Sequence, residues 1–215
     1  ALCGLIMNTP FVLPQTRNTN PSGNAQIDAL LGGIKWGGPA GTSAALTYSF
    51  PWSTGDTALF EGYSGAPYSN NNEPSATQHF GLNALQKLAF EQALQTWANV
   101  ANLSFSQVPD NAVSAGDIRV AFSSASSLAS SWGYAIYPNS YWPNGGDIWI
   151  NATQGASLNW APSSFNFEAL VHEVGHALGL KHPFEGSVTL PDNVSNGFYT
   201  LMSYANPTNN LFVKL

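Results

Sequence analysis

The stretch His172-Glu173-Val174-Gly175-His176-Ala177-Leu178-Gly179-Leu180-Lys181-His182, followed downstream by Leu201-Met202-Ser203-Tyr204, decides how the rest of the chain is read. On a helix, residues four apart share a face, so His172 and His176 can offer both imidazoles to one ion while Glu173 stands beside them. Gly179 can end that helix in a backbone conformation that larger residues avoid, turning the chain so that His182 approaches as a third nitrogen ligand. Three imidazoles leave one position of a tetrahedron exchangeable, which a hydrolytic zinc site requires. A histidine taken alone is as readily a core or surface residue. The joint spacing H-E-x-x-H-x-x-G-x-x-H, with a methionine in a following M-S-Y turn, argues against that reading here.

On these residues the sequence resembles the metzincin metallopeptidases, and His182-Pro183 with Met202-Ser203-Tyr204 is similar to the serralysin family of secreted bacterial proteases. The resemblance spans most of Ile27 to Tyr204. It implies that His172, His176 and His182 ligate Zn2+, that Glu173 is the general base and that Met202 forms the base of the metal site. It also implies that Tyr204 is a phenol that ligates zinc at rest and helps stabilise the reaction intermediate. The expected product is a secreted, extracellular, bacterial zinc endopeptidase acting on protein or peptide substrates, a monomer with a proteinaceous inhibitor among its partners. Departures occur at Lys181 and at Phe184-Glu185, where small and Gly-Asp-like residues are expected, so the rim of the primed-side pocket should differ. The glycine- and aspartate-rich repeats that bind calcium in serralysins have no counterpart in these residues. The expectation is therefore a catalytic domain without that repeat domain, and Ca2+ stays possible as a second cofactor without a site that can be read from these residues. His79 is the only further histidine, which speaks against the second, structural zinc of matrix metallopeptidases.

Composition narrows the alternatives. The 215 residues are 44% hydrophobic, enough to bury a substantial core in one domain or two apposed lobes. Charged residues make up 8%, with 12 acidic against 6 basic side chains and a net charge of -6, so no basic face is offered to nucleic acid or anionic lipid. No apolar run is long enough to cross a membrane and no signal segment opens the chain, which predicts a soluble protein. The single cysteine, Cys3, excludes an intramolecular disulfide and a thiolate cluster. Cys3-Gly4 is similar to the inhibitory cysteine of matrix metallopeptidase propeptides, which implies Cys3 as a fourth zinc ligand in a latent form.

Taken in order, residues 1–23 are broken by Pro10, Pro14 and Pro21 and read as an extended N-terminal arm. Ile27 to Leu31 predicts one or two helical turns, and Leu46 to Phe50 a strand that Pro51 ends. Ser53 to Gln78 reads as a long surface excursion. Asn83 with Gln86 has capping-box spacing, and Leu85, Leu88, Ala89, Leu94, Trp97 and Val100 predict the buried side of a long helix. Strands are expected at Leu103 to Val108, Ile118 to Phe122, Ser131 to Tyr137 and Asp147 to Asn151. This succession predicts an α/β fold with a twisted, mostly parallel sheet backed by helices. By resemblance it is the α+β metzincin type: five strands, an antiparallel edge strand above the cleft, and a small C-terminal lobe. Trp132, Gly133, Tyr134 and Ala135 on that edge are the expected substrate-binding residues, pairing with an extended peptide through the backbone. Ser164 is the expected cap of the metal helix, and Phe167, Leu170, Val171, Val174 and Leu178 its buried residues. The domain boundaries follow as 24–182 for the catalytic lobe and 183–215 for the C-terminal lobe, with Leu211 to Leu215 opening a helix.

The ligand set predicts peptide-bond hydrolysis by activated water. A non-catalytic zinc-containing peptide-binding module is the alternative, and it has no use for a carboxylate next to the first ligand.

Overall fold

Two capping signals start the two long helices where the sequence places them. Asn83 accepts from the Gln86 amide at 3.0 Å while the Gln86 side chain accepts from the Asn83 amide at 2.8 Å, so both orphan donors at this helix start are satisfied. Ser164 caps the metal helix by accepting from the Phe167 amide at 3.2 Å. The computed structural model describes residues 15–53, 58, 79–112, 114–139 and 144–205. The expected inhibitory Cys3, most of the 53–78 excursion and the helix at 211–215 lie outside the described residues.

Within them the strands are β1 (Thr16–Asn18), β2 (Ile34–Trp36), β3 (Ala44–Ser49), β4 (His79–Phe80), β5 (Leu103–Gln107), β6 (Ile118–Ser123), β7 (Gly133–Ala135) and β8 (Ile148–Asn151). The helices are α1 (Ala25–Asp28), α2 (Ala84–Ala98) and α3 (Phe165–Ala177). The main sheet runs β5-β3-β6-β8-β7, with β3, β5, β6 and β8 parallel and β7 antiparallel at the edge. That is the mostly parallel α/β sheet with an antiparallel edge that the sequence predicts. The two-residue β4 adds to it, pairing with Phe122 and Ser123 beyond the point where β3 leaves β6. Every residue of β6 and β8 is buried, as expected for central parallel strands covered on both faces. Arg119, inside β6, is neutralised by a two-pronged pair with Asp110, both bonds at 2.8 Å.

The face of α2 differs from the expected one. Gln86, Ala89, Phe90, Ala93 and Leu94 are buried, whereas Leu85, Leu88 and Val100 are 49%, 51% and 78% exposed. The stripe 86-89-90-93-94 is a regular helical face, and its two inner alanines let α2 come close to α3. Of the expected residues Ala89 and Leu94 are buried and Trp97 packs at the core margin, while Gln86, Phe90 and Ala93 complete the face in place of Leu85, Leu88 and Val100. On α3, Leu170, Val171 and Val174 are buried as expected, with Phe167 and Leu178 packed at the margin of the core.

A second, small sheet is absent from the sequence reading. β1 pairs antiparallel with β2, so the end of the N-terminal segment is ordered against the domain. The helix expected at Ile27 to Leu31 begins earlier, at Ala25, because Asn24 caps it by accepting from the Gln26 amide. This N-terminal region grips the far end of α3: the Trp36 indole donates to the Ala177 carbonyl at 2.7 Å, Gly32 donates to Gly179 at 2.8 Å and Lys181 donates to Leu30 at 2.9 Å.

Candidate metal centre

The end of α3 shapes the site. Leu180 donates back to the Gly175 carbonyl and Gly179 to that of His176, both at 2.9 Å, while Gly179 has φ +106°. These two bonds with a left-handed glycine form a Schellman cap, which stops the helix and reverses the chain. A Cβ on Gly179 would also run into the Ile34 carbonyl of β2. Gly179→Ala should therefore lower stability by about 2–4 kcal/mol, combining left-handed strain with overpacking. A urea unfolding midpoint indistinguishable from that of the unaltered chain would contradict this account.

The reversal brings His182 to the two helical histidines. His182 Nε2 lies 3.0 Å from His176 Nε2 and 3.2 Å from His172 Nε2. Each ring has its other nitrogen committed: Nδ1 of His172 to the Leu201 carbonyl at 2.8 Å, of His176 to the Leu180 carbonyl at 2.7 Å, and of His182 to Glu185 Oε1 at 2.8 Å. All three partners are acceptors, so each Nδ1 carries the proton and each Nε2 presents a lone pair. Three convergent lone pairs repel one another unless a cation sits among them. Their separations are close to the roughly 3.3 Å edge of a tetrahedron with zinc–nitrogen bonds of about 2.0–2.1 Å. The donor set fits a zinc ion, and among the described residues it is the one cluster of this kind.

Electrostatics point the same way. Burial is the main cause that holds the His172 imidazole below its usual range and pushes His176 down to about 4, so both stay neutral and ready to ligate. Glu173 is 7% exposed, and burial pushes its carboxyl up to about 8. Its Oε2 has no hydrogen-bond partner. A divalent cation beside it would restore the carboxylate, because a nearby positive charge opposes the desolvation penalty. Burial raises the Tyr204 phenol, with the Glu173 and Glu185 carboxylates adding to the effect, and it pushes Tyr137 up to about 12, with Glu185, Tyr204 and Glu173 contributing in that order.

Met202 is buried under α3, and its Sδ is what a Cβ on Gly175 would strike at 2.6 Å, so thioether and glycine interlock beneath the histidines. Tyr204 is 69% exposed, with its ring 4.5 Å from that of His182 and 5.4 Å from that of His172. On β7 the Trp132 carbonyl accepts from Asn151, and Ile136 exchanges bonds with Asp147 and Gly146, so even-numbered residues turn toward β8. Antiparallel alternation leaves the polar backbone groups of Gly133 and Ala135 facing away from β8, on an edge that pairs with no other strand among the described residues. The Trp132 side chain is half-buried, its indole donating to the Asn166 side chain at 2.9 Å. His79 stacks on Trp52, 4.0 Å between ring centres, in β4.

Several contributors escaped the sequence. The carbonyls of Leu180 and Leu201 carry no side-chain signal, and Tyr137, whose ring meets His176 edge-on at 5.6 Å, lies on an unremarkable strand end. Phe184 and Glu185, noted in the sequence only as departures, contribute directly: Phe184 stacks on His182 at 5.1 Å and Glu185, three residues beyond His182, pairs with it.

Residues 74–197 match the Peptidase M10 family profile, described as matrixin. Serralysin G of Dickeya chrysanthemi is 31% identical over 182 residues, which cover 82% of this chain and 34% of the relative. The serralysin of Photorhabdus laumondii is 29% identical over 203 residues, 86% of this chain and 38% of its own length. Metalloprotease AprA of Pseudomonas entomophila is 32% identical over 139 residues, 58% and 27% of the two chains. The chain thus spans well under half the length of the curated relatives it matches. The solved structure of myroilysin aligns over 71% of this chain at 21% identity and a TM-score of 0.36, too slight a likeness to bear on the fold. Because the profile match runs through the metal helix and covers more than half of the sequence, the chain belongs to the matrixin (peptidase M10) family and is a serralysin-like metzincin domain.

Proposed function

We propose that this domain is a zinc endopeptidase that hydrolyses peptide bonds in extended protein substrates outside the cell, with His172, His176 and His182 as the metal ligands. The observation that carries this reading is the convergence of three Nε2 lone pairs, 3.0 and 3.2 Å apart, next to a buried carboxylate with a partnerless oxygen. A zinc ion held there supplies Lewis acidity, making water easier to deprotonate and polarising a carbonyl. The remaining steps belong to the chain. Glu173 Oε2 takes the proton of the attacking water and returns it to the amine leaving group. The Tyr204 phenol, beside two of the imidazoles, donates to the oxyanion as the carbonyl becomes tetrahedral. The outward backbone groups of Gly133 and Ala135 pair with the substrate main chain, which tolerates varied side chains. A binding module would have no use for a buried base beside its first ligand. Export agrees with the low content of basic residues, 6 in 215, which offers trypsin-like enzymes few cleavage points.

The test is hydrolysis of an internally quenched peptide before chelation, after it, and after zinc is restored. Loss and recovery are expected; undiminished cleavage by metal-free protein would remove the reading. Tyr204→Phe should lower kcat by about tenfold to a hundredfold while KM changes little, the cost of one oxyanion donor. An unchanged kcat would take the phenol out of the mechanism.

A further inference from the structure

Two side chains at positions that depart from the serralysin pattern stand behind the third imidazole. The Lys181 ammonium donates to four backbone carbonyls: Ala29 at 2.5 Å, Glu185 at 2.6 Å, Val188 at 3.1 Å and His182 at 3.3 Å. These come from the end of α1, from the turn that follows His182 and from the loop beyond it. An ammonium has three protons, so four acceptors occupy it fully and tie the three segments to one point. Within the same turn the Glu185 amide donates to the His182 carbonyl at 3.2 Å, and its carboxylate accepts from His182 Nδ1 at 2.8 Å.

The three imidazoles are not oriented alike. His172 and His176 each donate to a backbone carbonyl held within the fold, whereas His182 donates to a side chain that is itself 46% exposed. A free-swinging carboxylate would give poor orientation. With its backbone pinned through Lys181, the turn presents Glu185 in one place, and a carboxylate at Nδ1 also makes the imidazole a stronger donor at Nε2. An ordinary surface pair of this exposure contributes little to stability and orients no other group. Resting on the zinc reading above, we propose that Glu185 is the positioning residue for the metal ligand His182 and that Lys181, through its four carbonyl bonds, holds Glu185 in that role. Both act on the metal through His182.

The experiment measures zinc dissociation constants by competition with a chromophoric chelator on the full chain, together with the urea midpoint of each metal-free variant. Glu185→Ala should raise the dissociation constant about 10–100-fold with an unchanged metal-free midpoint. Glu185→Gln keeps an oxygen that accepts from Nδ1 and should recover most of that loss, which a merely structural role would not predict. Lys181→Met should also weaken zinc binding, and the double variant should bind no worse than Glu185→Ala alone, since the two residues act in series. Wild-type affinity in Glu185→Ala, or penalties that multiply in the double variant, would overturn the proposal while leaving the zinc site standing. Failure of the unaltered chain to bind zinc would instead remove the metal centre, and the positioning role with it.

Discussion

Replacing Glu173 by glutamine is expected to leave zinc content unchanged and to cut peptide hydrolysis by about 10²–10⁴-fold, the usual range for loss of a general base. The amide keeps the shape of the side chain and removes only its capacity to take a proton. Glu173 is 7% exposed, so the cavity that holds it is fixed by packing, and an isosteric replacement has nowhere else to go. Its Oε2 makes no hydrogen bond, so no structural bond is broken by the change. The loss should fall on kcat with KM nearly constant, because the proton moves only in the transition state. Assay of kcat alongside bound zinc distinguishes the outcomes. Full turnover in the variant would exclude Glu173 as the base, and coincident loss of zinc would make its role structural.

The second large effect concerns stability once the metal is stripped. A ligand that binds only the native state adds about 4 kcal/mol when present at a thousand times its dissociation constant, so chelation should lower the unfolding midpoint markedly. The stripped protein should also acquire a pH dependence that the loaded protein lacks. Glu173 ionises near 4.5 when unfolded but only near 8 in the folded, metal-free chain. Between these values the unfolded state has released a proton that the native state retains, so stability falls as pH rises. His176 acts with the opposite sign: with its folded value lowered from 6.5 to about 4, its contribution is complete above 6.5 and is lost as pH falls toward 4. The two oppose each other between 4.5 and 6.5, leaving the Glu173 slope alone above that range. From pH 6.5 to 8 the stripped protein should lose on the order of 2 kcal/mol through Glu173. Urea titrations of both forms at those pH values give the answer, and parallel profiles would show that Glu173 is not buried beside the cation site.

The parts of this domain that sequence predicts correctly are those encoded within a few residues. The capping box at Asn83 and Gln86, the Ser164 cap and the strand runs that became β3, β5, β6, β7 and β8 all depend on local chemistry. Where a choice depended on the partner surface, local reading failed. The buried stripe of α2 runs through Gln86, Ala89, Phe90, Ala93 and Leu94, a helical face chosen by what packs against it, and Leu85 and Leu88 are left in solvent. The Trp132 indole is tied to Asn166, a partner 34 residues away that no local pattern announces. The pairing of β1 with β2 was invisible because neither Thr16–Asn18 nor Ile34–Trp36 lies in a longer alternating run.

By itself the sequence determined the two imidazoles on one helical face, the carboxylate beside them and the glycine that turns the chain toward His182. Each of these follows from helical periodicity or from a backbone conformation that side chains disfavour. Only the tertiary structure decided how those rings are aimed. The Leu201 carbonyl orients His172 across 29 residues, the β2 backbone packs against Gly179 so tightly that no side chain fits, and Lys181 gathers carbonyls from as far away as Ala29. These contacts are made by backbone carbonyls, which every residue type carries alike, so no side chain in the sequence announces them. Their positions exist only once the chain segments that bear them have packed together.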